Sequence, residues 1–140
     1  MSNLDSILQD LDDTSARIGE ITRTISLSVL ALVWLFIAGG NGSPVLPVKP
    51  SSGLLLLSGL LALLSLLSDY FQYVAGYANT KDVLSVAEAA DDAEKVLYND
   101  KSVLYRLRTF FFWTKQALVI GALIVLFIAI GAAYCARIIP

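Results

Sequence analysis

Apolar and polar positions separate along this chain on the scale of whole helices. Three long apolar runs are divided by mixed polar stretches. The first run spans about Thr24 to Gly40 and carries Trp34 and Phe36 among aliphatic residues. The second begins near Gly53, stays apolar to Ser68, and continues through Asp69–Tyr77 as a segment rich in aromatics. The third, Ala117 to Ala136, is twenty residues without a charge. At 1.5 Å of rise per residue, about twenty residues cross a hydrocarbon core of roughly 30 Å. The pattern therefore predicts an all-α integral membrane protein with three transmembrane helices, over 24–40, 53–77 and 115–137. The first is short and should stand nearly upright or thin the bilayer around it.

The stretches between the runs also carry helical patterns. Over residues 1–23, Leu4, Leu11, Ile18 and Ile25 recur every seven residues, with Ile7 and Ile21 on the same face. This predicts an N-terminal amphipathic helix, opened by a capping pair of Ser2 and Asp5. It either packs on neighbouring helices or lies flat on the membrane, and Gly19 permits a bend before the first span. Residues 41–52 form a loop stiffened by Pro44, Pro47 and Pro50, one residue in three as in polyproline II. Residues 78–114 predict a helical hairpin. Val83, Ala87, Ala90 and Leu97 mark one face of its first arm, and Glu88, Asp91, Asp92 and Glu94 the other. Asn99-Asp100 is the break, with Asp100 or Ser102 capping an arm that carries Leu104, Leu107 and Phe111 into the third span.

Charge sets the expected orientation. Arg17 and Arg23 precede the first span, and Lys81, Lys95, Lys101, Arg106, Arg108 and Lys115 lie between the second and third. Only Lys49 and Arg137 lie on the opposite side. The positive-inside rule then puts the N-terminus and the hairpin in the cytoplasm and the C-terminus outside. A cleavable signal needs a short basic start, whereas Asp5, Asp10, Asp12, Asp13 and Glu20 make this one acidic. The first span is therefore expected to be retained. Tyr70, Phe71, Tyr73 and Tyr77 with Phe110, Phe111, Phe112 and Trp113 would form the inner aromatic belt, and Trp34 and Tyr134 the outer one. Arg106 and Arg108 are placed to contact lipid headgroups, each worth about 1 kcal/mol beside an anionic leaflet.

One stripe of the second span departs from the lipid-facing pattern. Ser58, Ala62, Ser65, Asp69, Gln72, Gly76 and Asn79 follow at alternating steps of four and three, a single seam of small or polar side chains. Lipid offers such groups no hydrogen bonds, so the seam needs protein or water beside it. Two readings remain open: tight helix packing, or the lining of a water-filled path in a symmetric oligomer. Asp69 near the inner boundary is costly to bury as a charge, and Lys115 at the start of the third span is its candidate ion-pair partner. Small residues on the third span, Ala117, Gly121, Ala129, Gly131, Ala132, Ala133 and Ala136, also suit close helix approach. Cys135 near its outer end is a small hydrophobe or, outside the cell, a bridge to another subunit.

Composition narrows the chemistry. The chain is 56% hydrophobic and 16% charged, with no His, one Cys and net charge −2. His-based acid–base and nucleophilic catalysis, internal disulfides and the usual zinc sites are unavailable. No phosphate-binding Gly loop or nucleophile–base constellation appears, so neither catalytic nor cofactor- or metal-binding residues are expected. The net charge argues against nucleic acid as a partner. Two function classes remain. One is a self-assembling membrane protein, a small oligomeric channel or membrane-perturbing effector under the control of a cytoplasmic partner or trigger. The other is a non-catalytic accessory subunit of a larger membrane complex.

The order of Leu4–Ile21, the closely spaced spans around Leu30 and Leu60, and the helix Val83–Leu97 resembles the small bacterial membrane effectors of anti-phage systems known as SLATT proteins. The resemblance is one of architecture, and the third span, Ala117–Ala136, lies beyond it. It implies an inner-membrane homo-oligomer whose pore formation kills or arrests an infected cell.

Overall fold

A computed structural model describes residues 3–38, 50–89 and 102–138. It is built from three long helices, α1 (Asn3–Ala38), α2 (Ser52–Ala89) and α3 (Val103–Ile138). Each is long and apolar enough to cross a membrane. At the standard rise, 36 to 38 residues extend roughly 55 Å, well past the hydrocarbon thickness. The membrane-spanning segments and the flanking helical patterns are thus the same rods. α1 passes through the boundary at residue 23 without a break, and α2 passes through residue 77. The absence of proline from all three helices permits this continuity.

The helix starts are set locally. Pro50 precedes α2, whose first turn closes with Leu55 N–H donating to Ser51 O at 3.0 Å. Ser102 caps α3: its Oγ accepts from the Tyr105 N–H at 3.1 Å, and its carbonyl from the Arg106 N–H at 3.2 Å. Of the loop expected over 41–52, residues 41–49 with Pro44 and Pro47 lie outside the described residues, as do residues 90–101 of the expected hairpin with its break at Asn99-Asp100.

Contacts fix the topology. Ser58 meets Ala122, Ser65 meets Lys115, and Asn79 meets Ser102, so α2 and α3 run antiparallel in constant register. Arg23 meets Asp69 and Ser26 meets Ser65, so α1 is antiparallel to α2 as well. α2 and α3 share the most extensive interface, and α1 packs chiefly against α2. The bundle therefore has two unlike ends. At one, termed the apolar end, Val29, Val33, Leu55, Ala62, Ala122 and Leu126 form the buried core. At the other, the polar end, the N-terminal half of α1 meets the C-terminal half of α2 and the start of α3.

The three buried seams share one rhythm. On α1 the buried positions are Gly19, Thr22, Ser26, Val29 and Val33; on α3 they are Lys115, Val119, Ala122, Leu126 and Ala129. On α2, Leu55, Ser58, Ala62, Ser65 and Asp69 keep the same alternation of threes and fours. A seven-residue repeat on every helix is the geometry of left-handed, knobs-into-holes bundles, common among membrane helices. The buried stripe on α1 sits beside the one that the aliphatic heptad predicts. Ile18 and Ile21 are exposed and Ile25 is half-buried, while Gly19, Thr22 and Ser26 face inward. In water the isoleucines would win the interior. Against lipid they gain nothing by leaving the surface, and small and polar residues take the interface instead.

Candidate functional site

The seam on α2 is filled by the other two helices. Ser58 donates to the Ala122 carbonyl at 2.8 Å, and Ser65 to the Lys115 carbonyl at 3.0 Å. Ser26 Oγ lies 3.0 Å from its own Thr22 carbonyl and 3.3 Å from Ser65 Oγ, so one proton is shared between them. Ser58, Ala62, Ser65, Asp69 and Asn79 are buried, whereas Gln72 and Gly76 are half-buried towards the polar end. Within one chain, the stripe is a packed interface.

Asp69 is the centre of this interface. Its Oδ1 accepts from Lys115 Nζ at 2.5 Å. Its Oδ2 accepts from Arg23 Nε at 3.1 Å and Nη2 at 2.9 Å. Each helix thus contributes one charge to a single layer. The carboxylate side chain is 11% exposed, Lys115 2% and Arg23 43%. Two cations against one carboxylate leave one surplus positive charge, which the half-open Arg23 guanidinium carries towards solvent. Arg23 also donates to Tyr73 Oη at 3.1 Å and lies 5.6 Å from the centre of that ring. Lys115 Nζ lies 5.5 Å from the Phe112 ring centre, where the π face adds attraction in a poorly hydrated place.

Gly19 gives the layer clearance. A Cβ there would stand 3.2 Å from Lys115 Nζ, so the bare backbone of α1 gives the ammonium its room. The role of Gly19 is clearance rather than bending, since α1 continues through it. Beside it, Thr22 donates to Ile18 O at 2.8 Å and lies 3.1 Å from Gln116 Oε1. Gln116 Nε2 and Gln72 Oε1 are buried without a hydrogen-bond partner among the described residues.

Arg23, Thr22, Ser26 and Gln116 join this cluster; the sequence reading takes Arg23 only as a topology charge and leaves out the other three. A signal for them exists: Gly19, Thr22, Ser26, Val29 and Val33 repeat the three–four alternation already visible on α2. Arg106 is exposed and Arg108 half-buried, so these two headgroup candidates occupy different environments. On α3, Ala129 is buried and Gly121 and Ala133 half-buried, whereas Ala117, Gly131, Ala132, Cys135 and Ala136 are exposed. No group of three or more His, Cys, Asp or Glu among the described residues is arranged to hold a metal ion.

A modest loss is expected from Ser65→Ala, which removes the bridge to the Lys115 carbonyl. Hydrogen bonds between membrane helices average about 0.6 kcal/mol and reach about 1.7. Thermal unfolding in mild detergent should show a destabilisation within that range with the fold retained. A drop several times larger would mean that Ser65 also orients the charged layer.

Comparison of the chain with family models, with curated proteins and with solved structures gives no match.

Proposed function

We propose that this chain is a non-enzymatic, self-assembling membrane protein, held here in its closed form: a small channel or membrane-perturbing effector whose ionic layer acts as a latch. The observation that carries this reading is Asp69, clamped by Lys115 from α3 and Arg23 from α1. A buried ion pair is a poor stabiliser relative to apolar packing, because desolvation offsets most of its attraction. Ionisable groups inside membranes accordingly mark function more often than strength. The hydroxyls along the seam find partners within the chain, so the bundle needs no second protein to satisfy them. Opening it would turn Ser58, Ser65 and Asp69 into the wall of a polar path.

The remaining elements of the reading follow from charge and resemblance. Counting Lys and Arg places the N-terminus and the hairpin in the cytoplasm and the C-terminus outside. The resemblance to SLATT-type effectors supports a bacterial inner-membrane protein assembled with copies of itself and acting in anti-phage defence on a cytoplasmic trigger. The alternative is an accessory subunit of a larger membrane complex, packed through its lipid-facing side chains.

Two measurements on the full chain test the proposal. Native mass spectrometry in mild detergent should show a homogeneous homo-oligomer; recovery only with larger subunits would establish the accessory role instead. In vesicles loaded with a small dye, the wild type should leak slowly. Arg23→Gln, which loosens the latch while keeping the Lys115 partner, and Asp69→Leu should both change the leak strongly. Leakage at the wild-type rate from both normally assembled variants overturns the latch.

A further inference from the structure

At the polar end, the three helices line an open cleft of about 560 Å3. Its walls carry unlike chemistry. α1 contributes Asp13, α3 contributes Arg108 and Lys115, and α2 contributes Gln72, Tyr73 and Tyr77. Asp13 and Arg108 line the same space, yet neither has an ion pair or hydrogen bond among the described residues. The Gln72 amide oxygen is buried without a donor. Lys115 gives one ammonium proton to Asp69, and Tyr73 accepts from Arg23 while keeping its own O–H to donate. The lining therefore offers a cation from α3 and a carboxylate from α1, with the Tyr73 hydroxyl between them on α2.

The height of the cleft matters as much as its lining. Tyr70, Tyr73, Tyr77, Phe110 and Trp113 are all well exposed around this end. Exposed Tyr and Trp collect where headgroups meet hydrocarbon, so the cleft opens at headgroup level. Lys115 lies deepest. Gly19, which it touches, is six residues along α1 from Asp13, and Lys115 is seven residues along α3 from Arg108, so the carboxylate and the guanidinium stand at about one level, roughly 9–10 Å further from the hydrocarbon.

We propose that the cleft binds a phosphoethanolamine group, its phosphate held by Arg108 and its primary ammonium by Asp13. A simple anion would meet Arg108 but be repelled by Asp13. Choline would bring a positive charge without an N–H for Asp13 to accept. The primary ammonium brings both the charge and the donors. This inference is independent of the latch, because it requires only the closed bundle.

Native mass spectrometry of the full chain, titrated with phosphatidylethanolamine, phosphatidylcholine or phosphatidylglycerol of one acyl composition, tests it. The ethanolamine lipid should bind roughly tenfold more tightly than the other two, the effect of about 1.4 kcal/mol. Asp13→Asn should erase the preference for ethanolamine over choline. Arg108→Gln should weaken all three lipids while the melting temperature stays at the wild-type value. Equal binding of the three headgroups by the wild type, or an unchanged preference in Asp13→Asn, overturns the proposal. Soluble phosphoethanolamine is the last arm. If it displaces the lipid, the free zwitterion is itself a ligand; if it does not, the site belongs to the lipid, and both results keep the headgroup chemistry.

Discussion

Asp69→Ala is expected to destabilise the bundle by about 3–5 kcal/mol, the cost of leaving a buried charge without its partner. Lys115 is 2% exposed, and its ammonium donates to the Asp69 carboxylate. Once the carboxylate is gone, the Lys115 ammonium is left without its partner and must move its head towards the polar end, which disturbs the contact with Gly19. Arg23 suffers less, since 43% of its side chain already reaches solvent. Arg23→Gln should therefore cost no more than about 1 kcal/mol, as exposed pairs do. The informative variant is the double replacement Asp69→Leu with Lys115→Met, which removes both buried charges and keeps apolar volume. It should recover most of the stability that Asp69→Ala loses, because an ion pair out of water roughly balances its own desolvation. Thermal unfolding of all four proteins in one mild detergent gives the comparison. If Asp69→Ala melts with the wild type, the Lys115 head is hydrated through the polar-end cleft that it lines, and the buried-charge argument fails. If the double variant is no better than Asp69→Ala, the pair contributes net stability, and its interpretation as a latch loses its basis.

The parts of this architecture that could be read from the sequence are those that the bilayer dictates. Three apolar runs announce three rods because a single segment of that length can satisfy its own backbone in hydrocarbon only as a helix. The α2 seam is conspicuous because Ser58, Ser65 and Asp69 interrupt a field of leucines. The matching seam on α1 is not conspicuous. Gly19, Thr22 and Ser26 sit among Glu20, Arg23 and Thr24, where they resemble the wet side of a soluble amphipathic helix. The isoleucine heptad beside them draws attention to the wrong stripe, since the rule that apolar residues go inside holds against water and lapses against lipid. Arg23 reads in one dimension as a topology charge, and only the antiparallel register of α1 and α2 brings it to Asp69. The clearance at Gly19 is invisible without the third helix. The cleft depends likewise on three residues far apart in the chain, Asp13, Gln72 and Arg108, none unusual alone.

A second large effect is expected where the seam buries alanine on both facing helices. Ala62 and Ala122 are fully buried in the apolar-end core, and Ser58 donates to the Ala122 carbonyl at 2.8 Å. Ala122→Leu adds a branched side chain to an interface with no space for it. Overpacking of this kind typically costs about 1–3 kcal/mol. Here α2 and α3 must also separate, which lengthens the bond from Ser58 and exposes its hydroxyl to a medium without partners. The expected loss therefore lies at the upper end of that range. Gly131→Leu is the control on the same helix, since a Cβ there meets nothing within 4 Å. It should leave the melting temperature of a detergent-solubilised monomer unchanged. The contrast separates two origins for the three–four rhythm on α3. If only Ala122→Leu destabilises, small residues are needed where helices of one chain touch. If Gly131→Leu leaves the monomer intact but lowers the subunit number in native mass spectrometry, the exposed small face of α3 is where copies meet. A melting temperature unmoved by Ala122→Leu would mean that α2 and α3 are less closely packed than the Ser58 bond requires.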